Sequence, residues 1–266
     1  MPDTDPVRLR DDLFPMRRWG LPRDGELDRV VIVSPHLDDA VLGCGRFMAA
    51  HPGVTVVTVF AGNPPRYPDP MRTWDVQSGF RPGEDVMATR RKEDEAALAV
   101  LGATPVHLDL VEHTYNPGDR PVEPAVIHEV LAPAIAELAP TLVVVPFGLA
   151  NPDHDVTHRA CMLVRAGVDA AMAWWCYEDM GYKHIPGLLA WRVSSLFRSH
   201  LWPTPVCPAV DANEERKRAA VACYPTQLLA LEDDWQIGAK LAAPAPEQYW
   251  RIDSPPDGWE GLSAQS

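Results

Sequence analysis

The chain has 266 residues, 46% apolar and 23% charged, a balance that fits a globular fold with a full core and argues against disorder. Its net charge of −13 argues against nucleic acid as a partner, because phosphate contacts need clustered Lys and Arg. Five cysteines, at positions 44, 161, 176, 207 and 223 with no C-x-x-C pair, signal neither a disulfide framework nor a cysteine zinc site. No run is apolar enough for a membrane span and the first residues, MPDTDPVRLRDDLF, carry no apolar leader core, so the expected location is cytoplasmic.

Residues 29–34 (RVVIVS) predict a strand, cut by Pro35 and followed by His36-Leu37-Asp38-Asp39 and a helix over 39–51. A second strand falls at 54–60. The connection over 61–84 far exceeds the usual roughly 4–6 residues, so it is expected to cover the active site. A helix over 85–101 ends at Gly102; a strand near 105–108 and a helix from about 122 to 138 follow. Residues 141–146 (TLVVVP) repeat the opening pattern: an apolar strand, a proline, then Asn151-Pro152-Asp153-His154, with another helix beginning near His154 or Asp155. The last third is less regular, with strands predicted near 171–177 and 189–197, a helix over 211–223 and a Pro-rich tail. The aromatic-rich 171–182 stretch and the 198–208 loop are further candidate walls of a site, although Trp174 and Trp175 read first as core. The predicted fold class is α/β: a Rossmann-like, mostly parallel sheet with helices on both faces and the active site at the carboxyl ends of the strands. One domain is expected over 1–266, with its core at about 28–227 and a Pro-rich extension behind it.

Parallel strands deliver their carboxyl ends to one rim, so the clusters at 36–39 and 151–154 are expected to meet there. Imidazole and carboxylate donors suit a divalent transition metal. Two histidines and one aspartate leave a fourth position for water, the open arrangement of catalytic zinc, and a second aspartate beside it can take a proton. The residues alone leave open whether Asp38 or Asp39 binds the metal, and a plain alternative makes one of them the cap of the next helix. His158, one helical turn after His154, fits either a supporting role or a capping one. VLGCG at 41–45 mimics the glycine-rich opening of methyltransferases, but here the glycines fall inside the helix, where they serve close packing on the sheet.

SPHLDDAVLGCG, with NPDH at 151–154, resembles the two metal-binding motifs of the PIG-L/LmbE-like N-deacetylases. Leu37 replaces the usual proline of the first motif and Ala40 its frequent Glu. Arg90-Arg91-Lys92-Glu93 with Leu101-Gly102, Tyr177 to Tyr182 (YEDMGY), and Lys217 to Gln227 are weaker matches in the same register. The resemblance implies zinc, one ion per chain, on His36, Asp39 and His154, a position that another divalent transition metal also fits, with Asp38 as general base. It further implies removal of an N-acetyl or other N-acyl group from an amino sugar or a glycosylated small molecule, with zinc polarising the amide and acidifying water. Arg90 falls where the family places a substrate-binding arginine, the alternative being an ion pair with Asp94. Asp153 and His158 join the tentative surroundings of the site.

The resemblance breaks at Asn151, where the family carries a histidine assigned to proton donation or the oxyanion, and at Leu149, where some members carry a tyrosine. An amide donates a hydrogen bond but no proton at neutral pH. Asp38 is then the simplest donor to the leaving amine, with His158 in reserve. A zinc-binding module without activity is the rival reading.

Overall fold

The computed structural model describes residues 20–168, 171–210, 214–242 and 247–255. The amino-terminal segment, the first residues of the predicted 211–223 helix and parts of the Pro-rich tail lie outside the described residues.

Apolar β-branched runs form the centre of a seven-stranded sheet. β1 (Val30–Ser34) lies between β2 (Thr55–Thr58) and β4 (Leu142–Pro146), and β3 (Thr104–His107) and β5 (Ala173–Tyr177) extend it in parallel on either side. β7 (Tyr249–Asp253) runs antiparallel to β5, and β6 (Trp202–Val206) closes that side antiparallel to β7, giving the order β3-β2-β1-β4-β5-β7-β6. The strand order reverses between β1 and β4, and their carboxyl ends frame the crevice where open α/β sheets bind ligands. Both edge strands carry prolines: Pro105 in β3, and Pro203 and Pro205 in β6. An edge strand needs donors on one side only, so it tolerates a residue without an N–H.

Alternation along the strands builds two cores. Ile32, Val56, Val144, Trp175 and Tyr177 face α1 (Asp39–Ala50), α3 (Val86–Leu101) and α7 (Glu214–Val221). Val33, Val57, Val145 and Cys176 face the other layer, which holds α4 (Pro124–Leu138) and α5 (Pro152–Gly167). Trp174 and Trp175 are both core, one on each face. Gly43 and Gly45 lie inside α1: a Cβ on Gly43 would stand 2.7 Å from Tyr177, and one on Gly45 would stand 2.8 Å from Lys217. They serve close packing, and the methyltransferase reading falls with that placement.

Three expectations need correction. Residues 189–197 are not a strand but most of α6 (Leu188–Arg198), whose Leu189, Val193 and Leu196 recur at helical spacing toward the core. The same helix buries Arg192, which donates to the Gly148 carbonyl and to Asp155, both at 2.6 Å, and so braces the loop after β4. The 198–208 segment supplies β6 rather than a wall of the site, and the tail supplies β7. The long connection after β2, read as a loop throughout, contains the short helix α2 (Thr73–Gln77), whose Trp74 and Asp75 reach the cleft. After α7, α8 (Pro225–Trp235) and α9 (Ile237–Ala242) continue the chain on the α3 side.

Candidate metal centre and its cleft

β1 ends at Ser34, whose hydroxyl donates to the His36 carbonyl at 2.7 Å and accepts from the Ala40 N–H at 3.0 Å, clamping the turn that presents His36. The His36 N–H donates to Asp39 Oδ2 at 2.9 Å. Asp38 sits at φ 146°, ψ −33°, a costly backbone for a residue with a Cβ. Its carboxylate makes no capping bond to α1, so the plain helix-cap alternative does not describe it. It lines the cleft instead. On the second rim segment, Asn151 caps α5 by accepting from the Asp153 N–H at 2.8 Å, which sends Asp153 and His154 inward in the first turn.

The two clusters meet. His36 Nδ1 and His154 Nε2 stand 3.2 Å and 3.1 Å from the same atom, Asp39 Oδ2, and one donor from each of the three residues lies within 4.8 Å of the others. Ligands of a tetrahedral ion at bond lengths near 2.1 Å stand roughly 3.4 Å apart, so the set fits a divalent metal. Among the described residues it is the one cluster of His, Cys, Asp and Glu with that geometry. The far nitrogen of each ring is held by a buried carboxylate: His36 Nε2 donates to Asp153 Oδ2 at 3.1 Å, and His154 Nδ1 to Asp179 Oδ1 at 2.6 Å. Such pairs fix the orientation and tautomer of metal-ligating imidazoles.

Electrostatics separates the aspartates. Burial works against the charge of Asp39, but the His154 and His36 imidazoles outweigh it and hold its pKa below the ordinary carboxylate range. Burial and the neighbouring charge of Asp39 push Asp38 well above that range, against the pull of Arg90. A divalent cation beside Asp39 would draw Asp38 back down. Burial disfavours the charged form of His154, yet Asp39 and Asp179 raise its pKa to about 9.

The cleft above the triad encloses about 290 Å³, at the low end for small-molecule sites, enough for one sugar ring with its acyl arm. Leu42, Trp74, Met180, Leu231, Trp235 and Ile237 form apolar walls, and Tyr182 packs edge-on to His154 with ring centroids 5.2 Å apart. Asp75, Glu112 and Asp234 add carboxylates, while Arg90 is the one Lys or Arg among the lining residues. Arg90 is buried and pairs with Glu112 at 2.5 Å, not with Asp94 as one reading had it, because Asp94 accepts from Tyr224 and His107. His158 does not line the cleft: it is buried, bonds the Pro146 carbonyl through Nδ1 at 2.9 Å, and has its pKa lowered to about 4 by burial and Arg192. The Asn151 amide reaches Tyr182 Oη at 3.5 Å, and Leu149 is core.

Several residues here escaped sequence reasoning. Asp179 stands inside the Tyr177–Tyr182 match but was given no site role there; it lies just past β5 and obeys the same rim rule as His36 and His154, so the strand-end signal was present. His113, in a short 3-10 turn after β3, carried no signal. Its ring Nδ1 and backbone N–H both donate to Asp153 Oδ2, at 2.9 Å and 3.0 Å.

Two histidines and an aspartate placed so that they could hold a divalent metal, beside a buried carboxylate at the switch point of a parallel sheet, are the arrangement that metal-dependent hydrolases use. The chain belongs to the PIG-L family: the family model described as GlcNAc-PI de-N-acetylase matches residues 31–164. Among solved structures it is similar to the A40926 pseudoaglycone deacetylase Dbv21, at 31% identity over 85% of this chain and 97% of that one, with a TM-score of 0.69. A deacetylase–teicoplanin complex from the teicoplanin biosynthesis pathway matches at 25% identity over 86% of this chain and 100% of that one, TM-score 0.66. The N,N'-diacetylchitobiose deacetylase of Pyrococcus horikoshii shares the fold, at 16% identity over 97% and 99% of the two chains, TM-score 0.53. No curated protein matches the chain. No helix among the described residues is long and apolar enough to cross a membrane.

Proposed function

We propose that the protein removes an N-acyl group, acetyl first of all, from an amino sugar carried by a glycosylated natural product, with zinc held by His36, Asp39 and His154. The carrying observation is the pair of imidazoles that converge on Asp39 while each is locked from behind by Asp153 or Asp179. Likeness to the pseudoaglycone and teicoplanin deacetylases supports a glycosylated antibiotic intermediate as the substrate class. The size of the cleft agrees, since one sugar fills it and a larger aglycone must rest on the rim.

Zinc at this position would supply Lewis acidity toward the amide carbonyl and toward a water. The protein's own groups do the rest. Asp38 lines the cleft without a capping bond to hold it back and is the base that takes the proton of the attacking water. Tyr182 Oη accepts from the Asn151 amide, which leaves its own proton for the developing oxyanion. Leu42, Met180 and Trp235 give the sugar ring an apolar bed and exclude bulk water.

The test is amine release by zinc-loaded protein from N-acetylglucosaminyl glycosides, free and attached to glycopeptide aglycones, followed by mass and by an amine-reactive dye. Deacylation of a glycoside is expected. Protein holding about one equivalent of metal with no amine released from any of them would overturn the reading.

A further inference from the structure

We propose that His113 protonates the departing amine, and so replaces the proton donor that Asn151 cannot be. The inference rests on the deacylase reading above and assigns one step within it.

Asp153 carries the argument. It is wholly buried, and its Oδ2 accepts three bonds: from His36 Nε2 at 3.1 Å, from His113 Nδ1 at 2.9 Å and from the His113 N–H at 3.0 Å. One carboxylate thus aims two imidazoles. The first is turned to the metal triad, and the second lines the same cleft from a different segment of chain. His113 Nε2 has no partner among the described residues, and its side chain is 16% exposed, enough for a substrate nitrogen to reach. A carboxylate on Nδ1 fixes the orientation and tautomer of the ring and leaves Nε2 toward the cleft, the arrangement by which a carboxylate–imidazole pair delivers a proton from Nε2.

The rival donors are placed worse. His158 lies outside the cleft with its Nδ1 spent on Pro146. Asn151 has its carbonyl oxygen on the Asp153 N–H and holds no acidic proton. Asp38 receives its proton on the side from which water attacks.

The step balances as follows. Water adds to the acyl carbon and its proton passes to Asp38. The C–N bond then breaks, its electron pair stays on nitrogen, and that nitrogen takes the proton of His113 Nε2. Asp38 loses its proton to solvent and His113 regains one, so the products are a carboxylic acid and an amine, which at neutral pH exchange a proton to become carboxylate and ammonium.

A lost proton donor hurts an amide far more than an ester, because an alkoxide departs where an amide anion does not. The experiment compares His113→Gln with wild type on an N-acetylglucosaminide and on the matching 2-O-acetyl glucoside, with metal content measured in parallel. Expected is a roughly 10²–10⁴-fold fall in kcat for the amide, less than about tenfold for the ester, and unchanged metal per chain. An equal fall on both substrates, or an amide rate within about tenfold of wild type, overturns the inference while leaving the deacylase reading intact. A wild type inactive on the amide overturns both. If His113→Gln loses its fold or its metal, His113→Ala assayed with added imidazole decides: restored amide hydrolysis is expected, and none refutes the role.

Discussion

Asp38→Asn is expected to keep its metal and lose turnover by roughly 10²–10⁴-fold, whereas Asp39→Asn should lose most of the metal itself. Metal content by atomic emission beside kcat separates the two, and the reverse pattern would exchange their roles. His158 gives a second prediction, on stability. Its pKa falls from 6.5 to about 4 on folding, so below about pH 6.5 the unfolded chain binds a proton that the folded chain refuses. Its contribution is whole above that pH and drains away as pH falls toward 4, by roughly 3 kcal/mol in all. Urea unfolding of His158→Gln from pH 7 to 4.5 should therefore show a flatter acid limb than wild type; parallel limbs would exclude the effect. Residues at this scale were legible in unequal measure. His36, Asp38, Asp39 and His154 announce themselves because a broken apolar strand delivers them together. His113 and Glu112 reach the cleft only through tertiary placement of a loop with no periodicity, so no local pattern could carry them.

At the scale of elements, α1 shows what the glycines are for. Gly43→Ala gains helix propensity worth about 1 kcal/mol, but the new methyl meets the ring of Tyr177 at 2.7 Å. Tyr177 is fully buried and donates to the Val33 carbonyl at 3.3 Å, so it cannot yield easily. Overpacking of typically 1–3 kcal/mol should prevail, and the expected result is a net loss of about 1 kcal/mol in denaturant melts. A more stable variant would show that the ring moves. The strands that are buried on both faces were readable as unbroken apolar runs, and so was the helix closed by Gly102; α5 opens at Pro152, two residues before the expected start near His154, because the Asn151 side chain caps it. β6 and β7 were not: WPTPV has two prolines, and YWRID draws its stability from lying between β5 and β6, a partner set far away in sequence. α6 was misread because LLAWRVSSLF is apolar enough for either state, and burial of Arg192 against the loop after β4 decides for the helix.

At the scale of the molecule, the charge of −13 is not spread indifferently: away from the two metal-side aspartates the cleft lining holds Asp75, Glu112 and Asp234 against one cation, Arg90, which is already paired with Glu112, and a divalent ion in the triad would offset only part of this charge. Such a mouth repels anions and does so most at low ionic strength. A phosphate-bearing N-acetylglucosaminide should show a kcat/KM at least about tenfold below that of its neutral counterpart, equivalent to ~1.4 kcal/mol, with the gap narrowing as salt rises. Equal rates at low salt would mean that the rim does not select by charge. The prolines at Pro105, Pro203 and Pro205 act on a still larger scale, that of many copies in one cell. A bare sheet edge is a template on which a neighbour's backbone can crystallise strand by strand, and a missing N–H at either margin interrupts that copying. Association of this protein with itself is thereby steered to its helices and loops, and a crowded or half-folded population has no continuous backbone ladder along which to polymerise.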